Sequence, residues 1–147
     1  MVLAGLMPIP AYAEELHAAA IIELLQTTPL GEHVYDPDEV PGDRANDGDL
    51  PSTYATVSVT REGIDGSPQK AGRDVLGSWL VDVTTVAKTV ANVRIVNDWV
   101  TSVFDGVRLT VDGVVTNPPR RVGSVAAAPG DAPTDPATGL TSWSYAC

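Results

Sequence analysis

The side chains through which this chain could do chemistry are few: two histidines, one cysteine and a run of carboxylates. His17 and His33 have no cysteines or suitably spaced carboxylates around them, so the four ligands of a zinc site cannot be assembled. His17, set in a predicted helix, reads as an ordinary surface residue. The densest acidic stretch, Asp43-Arg44-Ala45-Asn46-Asp47-Gly48-Asp49, can be tested against the calcium-loop pattern. Ala45 then falls on the third ligand position and Tyr54 on the twelfth, where a bidentate glutamate is required. The stretch reads instead as a solvated acidic loop. Gly66-Ser67-Pro68-Gln69-Lys70-Ala71-Gly72 carries glycines and a lysine in the wrong order for a phosphate cradle and reads as a turn. No Gly-x-Ser-x-Gly elbow offers a serine nucleophile. Cys147 cannot form an internal disulfide because it is the single cysteine, which fits a reducing compartment. The expectation is a protein with no catalytic, cofactor-binding or metal residues, and no enzyme.

Charge points the same way. The formal net charge is −10, and it is concentrated in residues 1–60, where ten acidic side chains stand against Arg44 alone. Nucleic-acid binding needs a basic footprint, and this half has the reverse. No apolar run reaches the length a bilayer demands. Residues 1–13 are apolar and end in Ala11-Tyr12-Ala13, which mimics a signal-cleavage site. They lack a positive leading region, and Pro8 and Pro10 interrupt them. Residues 1–12 therefore read as a lead-in packed against a single domain spanning 1–147.

Periodicity supplies the elements that must position any functional surface. Residues 75–83 alternate, with Trp79, Val81 and Val83 on one face and Ser78 and Asp82 on the other, as a half-buried strand requires. Trp79 is expected to be buried between this strand and a helix, and Leu80, which interrupts the polar face, suggests cover on both sides. After Thr85 the period changes: Val86, Val90, Val93, Val96, Val100, Val103 and Phe104 draw one apolar stripe along a helix. Asp105-Gly106 is its stop. Opposite that stripe, Ile95 and Trp99 lie one turn apart on the outer face. Either a loop folds over them or they form a subunit contact, where tryptophan is enriched.

Around this centre, residues 13–26 read as a helix with Leu16, Ala19, Ala20 and Leu24 as its apolar side. Residues 33–35 and 53–60 read as strands, 36–51 as an acidic loop and 61–73 as a polar connection. Asp112-Gly113 marks a hairpin, 120–125 a strand and 126–138 a mobile loop. Trp143, Tyr145 and Cys147 alternate with serines in a closing strand.

That order resembles a known family. The residues that carry it are His33-Val34-Tyr35-Asp36, Tyr54-Ala55-Thr56-Val57 and Trp79-Leu80-Val81-Asp82-Val83-Thr84-Thr85-Val86 entering a helix. Asp105-Gly106-Val107-Arg108-Leu109-Thr110-Val111-Asp112-Gly113 and Thr141-Ser142-Trp143-Ser144-Tyr145 complete it. Over nearly the whole chain it is similar to the tail-terminator proteins of long-tailed, siphovirus-type bacteriophages. The resemblance implies an α/β (α+β) single domain, with a mixed, mostly antiparallel β-sheet flanked by two helices. It implies a virion protein at the head-proximal end of the tail, assembled in the host cytoplasm without a membrane. There a hexameric ring caps the tail tube, ends its polymerisation and provides the joint to the head. Its partners would be the major tail tube protein and the head–tail connector, or stopper, with DNA passing through the lumen unbound. The family has no catalytic residues to carry over. The loop at 36–51 and the stretch 126–138 depart from it.

Within such a ring, Ile95 and Trp99 are the expected subunit contact. Asp43, Asp47 and Asp49 are expected either to line the lumen, where carboxylates repel phosphate, or to lie on a solvated outer loop. Two other readings remain: a neighbouring head–tail connector or tail-completion protein, and a monomeric binding module.

Overall fold

A computed structural model describes residues 10–37, 52–64, 77–111, 113–130 and 135–146. The elements are α1 (Pro10–Leu25), β1 (Val34–Tyr35), β2 (Tyr54–Ile64), β3 (Gly77–Ala87) and α2 (Val90–Phe104). β4 (Thr110–Val111), β5 (Val114–Val115), β6 (Arg120–Ala128) and β7 (Ala137–Ala146) follow. Five strands form one sheet in the order β1-β2-β3-β7-β6, and β4 and β5 form a separate hairpin. β1 runs parallel to β2, and every other pairing is antiparallel. The fold is thus a single α+β domain with a mixed, mostly antiparallel sheet and two helices. Asp43, Asp47, Asp49 and Cys147 lie outside the described residues.

Local chemistry sets the boundaries. α1 begins on Pro10, whose fixed φ suits a first helical position and whose missing N–H has no intrahelical partner to lose. Beyond Leu25 the Thr28 hydroxyl donates to the Leu25 carbonyl at 2.6 Å and accepts from the Leu30 N–H at 3.2 Å. Gly31, at φ +56°, then turns the chain into β1. The strand-to-helix passage differs from the periodicity reading. Val86 and Ala87 belong to β3, with Val86 paired to Tyr54 on one side and Thr138 on the other. The stripe misled because Val86 stands four residues before Val90, in phase with a helix it does not join. The helix starts where Thr89, in extended conformation, accepts a hydrogen bond from the Asn92 N–H at 3.1 Å. Its end falls as expected, with Gly106 at φ +74° following Asp105.

Two connections are shorter than the sequence suggested. β2 continues to Ile64, through a register shift after Arg61. β6 continues to Ala128, and β7 begins at Ala137, so strand pairing claims both ends of 126–138. The hairpin at Gly113 is present, with φ +81° there and Val111 paired to Val114.

Both helices cover the same sheet face. Ile21 and Leu25 of α1 meet Val96, Val100 and Phe104 of α2 over Val57, Trp79, Val81, Val83, Trp143 and Tyr145 in one buried cluster. The Phe104 and Trp143 rings meet at 4.9 Å, tilted by 51°. Trp79 is buried against α1 as expected. Cover on both sides is not what Leu80 meets: it is half-buried, on the opposite face with Asp82, Thr84, Ser142 and Ser144. There the Ser142 hydroxyl donates to the Asp82 carboxylate at 2.6 Å. α2 lies close to β7 because Gly139 has no side chain: a Cβ there would stand 2.8 Å from Val93 Cγ1.

Candidate functional site

The structure treats the two aromatic-helix residues differently. Ile95 is 47 % exposed, whereas Trp99 is half-buried and packs against the core. Both line a groove of about 370 Å³ between the outer flank of α2 and the turn after α1, whose far wall is Pro29, Leu30, His33 and Thr53. His33 is tied down at the groove's edge, its Nδ1 lying 3.0 Å from the Tyr35 hydroxyl. Burial, reinforced by the Glu32 carboxylate, pushes the Tyr35 phenol above its ordinary value.

His17 is not a surface residue. It is 4 % exposed and stacks on Trp79, with ring centroids 3.9 Å apart and planes 16° from parallel. Its Nδ1 lies 2.6 Å from the Tyr145 hydroxyl, joining α1 to the far side of β3. The Arg61 guanidinium stands over the Trp79 ring at 5.8 Å, and the Arg61 N–H donates to Glu14 Oε2 at 3.3 Å. Burial first, and then the Arg61 charge, hold the His17 imidazole below its ordinary value of 6.5, so it is neutral at pH 7. A neutral ring between an indole face and a phenol suits packing and orientation. Among the described residues no group of three His, Cys, Asp or Glu side chains is placed to hold a metal ion. The sequence signal was available: His17, Ile21 and Leu25 repeat at four-residue spacing, the buried stripe of α1.

Among the described residues, the two edges of the sheet are also open surfaces. On one, β1 pairs only with Ala55 and Thr56, so beyond Thr56 no described strand adjoins β2. A cleft of about 380 Å³ runs along this edge, lined by Glu14, Glu15 and Asp36 together with Val57, Ser58 and Val59. On the other edge β6 is exposed along nearly its whole length. No described helix is long and apolar enough to cross a membrane.

No protein-family model matches the chain, and no curated protein matches it in sequence. Solved structures do match in fold. A chain from the virion of a native gene transfer agent particle superposes with a TM-score of 0.63 at 15 % identity, over 88 % of this chain and 92 % of that one. A second solved chain superposes with a TM-score of 0.58 at 13 % identity, over 90 % of this chain and 93 % of the other. At these identities the shared property is the fold.

Proposed function

We propose that this chain is a structural virion protein, without enzymatic activity, whose copies close into a hexameric ring at the head-proximal end of a phage tail. The ring caps the tail tube, ends its polymerisation and offers its other face to the head–tail connector. The observation that carries the reading is the end-to-end fold likeness to a chain of a gene transfer agent virion, with little of either chain left over. The order of elements quoted above, which resembles tail terminators, narrows the role. The acidic balance of residues 1–60 suits a channel that DNA must cross without sticking.

Micrographs of the purified protein, alone and mixed with tail tubes, should show six-fold rings, free or seated on tube ends. Light scattering should return the mass of six chains. A monomer at micromolar concentration that seats on no tube end overturns the reading and favours a monomeric binding module. Ile95→Ser is the cleaner probe of the helix flank, because Trp99 also serves the core; it should weaken ring formation and leave the melting temperature unchanged. Asp43→Lys, Asp47→Lys and Asp49→Lys together should slow DNA delivery in a salt-sensitive way if the loop lines the lumen. Delivery at the normal rate puts the loop outside.

A further inference from the structure

We propose that the copies join edge to edge: β6 of one chain adds to the open edge of β2 in the next, with Arg121 set against Glu14 and Glu15. The inference rests on the ring reading and names its contact.

The two edges are unfinished in complementary ways. β6 is a nine-residue outer strand whose Val122 and Val125 are 49 % and 58 % exposed. Its free N–H and C=O groups are a template for another strand, although Arg120, Arg121 and the register shifts after Arg121 and Val125 limit what can add there. On the opposite edge the Arg61 N–H points outward to Glu14. Since backbone groups alternate along a strand, Val59 turns its N–H and C=O outward as well. The charges are opposite, with the exposed Arg121 sharing the helix face with Trp143 and the carboxylates of Glu14, Glu15 and Asp36 along the β2 cleft, while Arg120 sits with Ser144 on the other face.

Register brings these features to the same level. Within one chain Arg121 pairs with Trp143, Trp143 with Val81 and Val81 with Val59. Likewise Ser124 is level with Val57, through Thr141 and Val83. A neighbouring copy rotated about an axis along the strands, without stagger, therefore sets Arg121 beside Val59, on the face that carries Glu14 and Glu15. β6 and β2 run in opposite directions, so the new pair is antiparallel, like the rest of the sheet outside β1. It spans residues 57–61 only, because β1 occupies the edge below. Glu14 must release the Arg61 N–H to the incoming strand's carbonyl, and it gains an arginine in exchange. Two unlike edges make a head-to-tail contact, which repeats in one direction and closes into a ring.

The test combines charge reversal with a covalent trap. In the wild type, assembly is followed by light scattering, alone and with tail tubes. Arg121→Glu should raise the concentration needed for assembly by roughly tenfold, since like charges then face each other, whereas Arg120→Glu, on the other face, should change it little. Adding Glu14→Arg and Glu15→Arg to Arg121→Glu should recover most of that loss. Separately, Ser58→Cys with Gly123→Cys, in a Cys147→Ser background, should oxidise to a ladder that ends at six chains. Gly123 is level with Ser58 through Ser142 and Asp82, and a Cβ there meets nothing nearer than Ser142 Cβ at 3.9 Å. If the wild type forms rings, but reversal leaves assembly unchanged and the cysteines stay unlinked, the edge contact is wrong and the ring stands. A wild type that never assembles removes both.

Discussion

α1 and α2 lie on the same sheet face, yet different chemistry holds them there. α2 turns Val93, Val96, Val100 and Phe104 inward in one buried stripe, with Asn92, Arg94, Asp98 and Ser102 among the residues that face outward. α1 is apolar on most sides, so burial alone does not choose which side goes in. Directional contacts choose instead: the His17 stack on Trp79, the His17–Tyr145 hydrogen bond and the Glu14 bond to Arg61. One helix is oriented by where water is excluded, the other by which polar groups find partners.

The largest effect should come from removing the platform on which α1 is oriented. Trp79→Ala should cost about 3–5 kcal/mol through lost burial and an unfilled cavity. Amide exchange should then rise in α1 before α2. Equal loss of protection in both helices would show that they open as one unit, and a melting temperature unchanged from wild type would refute the assigned strand face.

Gly139→Ala attacks the other helix. The new Cβ would press on Val93 Cγ1 at 2.8 Å and Asn97 Nδ2 at 3.2 Å, and Val93 is a stiff β-branched side chain in a helix. Overpacking of this kind costs about 1–3 kcal/mol, and denaturant melts should report it. A smaller effect, about 1 kcal/mol, is expected from Thr89→Ala, which leaves the first turn of α2 without its cap. A neutral result there would mean that the β3–α2 turn is held by the strand alone.

The smallest effect at neutral pH, and the most selective for α1, concerns His17. Above pH 6.5 neither the folded nor the unfolded chain protonates this ring. Below 6.5 the unfolded chain takes up a proton that the folded chain refuses, because burial and Arg61 depress the folded value. Stability should therefore fall as pH drops below 6.5 and level off below the folded value. His17→Phe, which keeps the stack and removes the titration, should flatten that part of the profile. An unchanged slope would assign it to other groups.

The same contrast explains how much could be read beforehand. Strands with strict alternation, the Gly113 hairpin and the stripe of α2 are local patterns, and they folded as the period dictates. The rotation of α1 was misjudged: Leu16 is exposed and Ala20 and Leu24 only partly buried, while His17 is inside. Nothing local in an alanine- and leucine-rich segment reveals that its histidine will meet a phenol 128 residues away. β3 outran its apparent end because valine and threonine serve both strand and helix spacing at the junction, and pairing with β2 and β7 decided the matter. Of the surface residues singled out, Ile95 was legible as exposed. For Trp99 the sequence left cover by a loop and a subunit contact open, and the residue is half-buried against the core.

β7 has one further consequence. It comes last among the strands but lies between β3 and β6, with the sheet's central pairings on either side. β3 and β7 are joined residue by residue across separations of about sixty positions, as Asp82 and Ser142 show. β7 meets β6 locally, with Ala128 facing Thr138, but the long loop must close before its β3 side contributes, so collapse is governed by long-range pairing and is slow for a domain this small. During synthesis, β2, β3 and α2 leave the ribosome with half the hydrophobic face still bare. The sheet reaches its full width only when β7 is paired between β3 and β6.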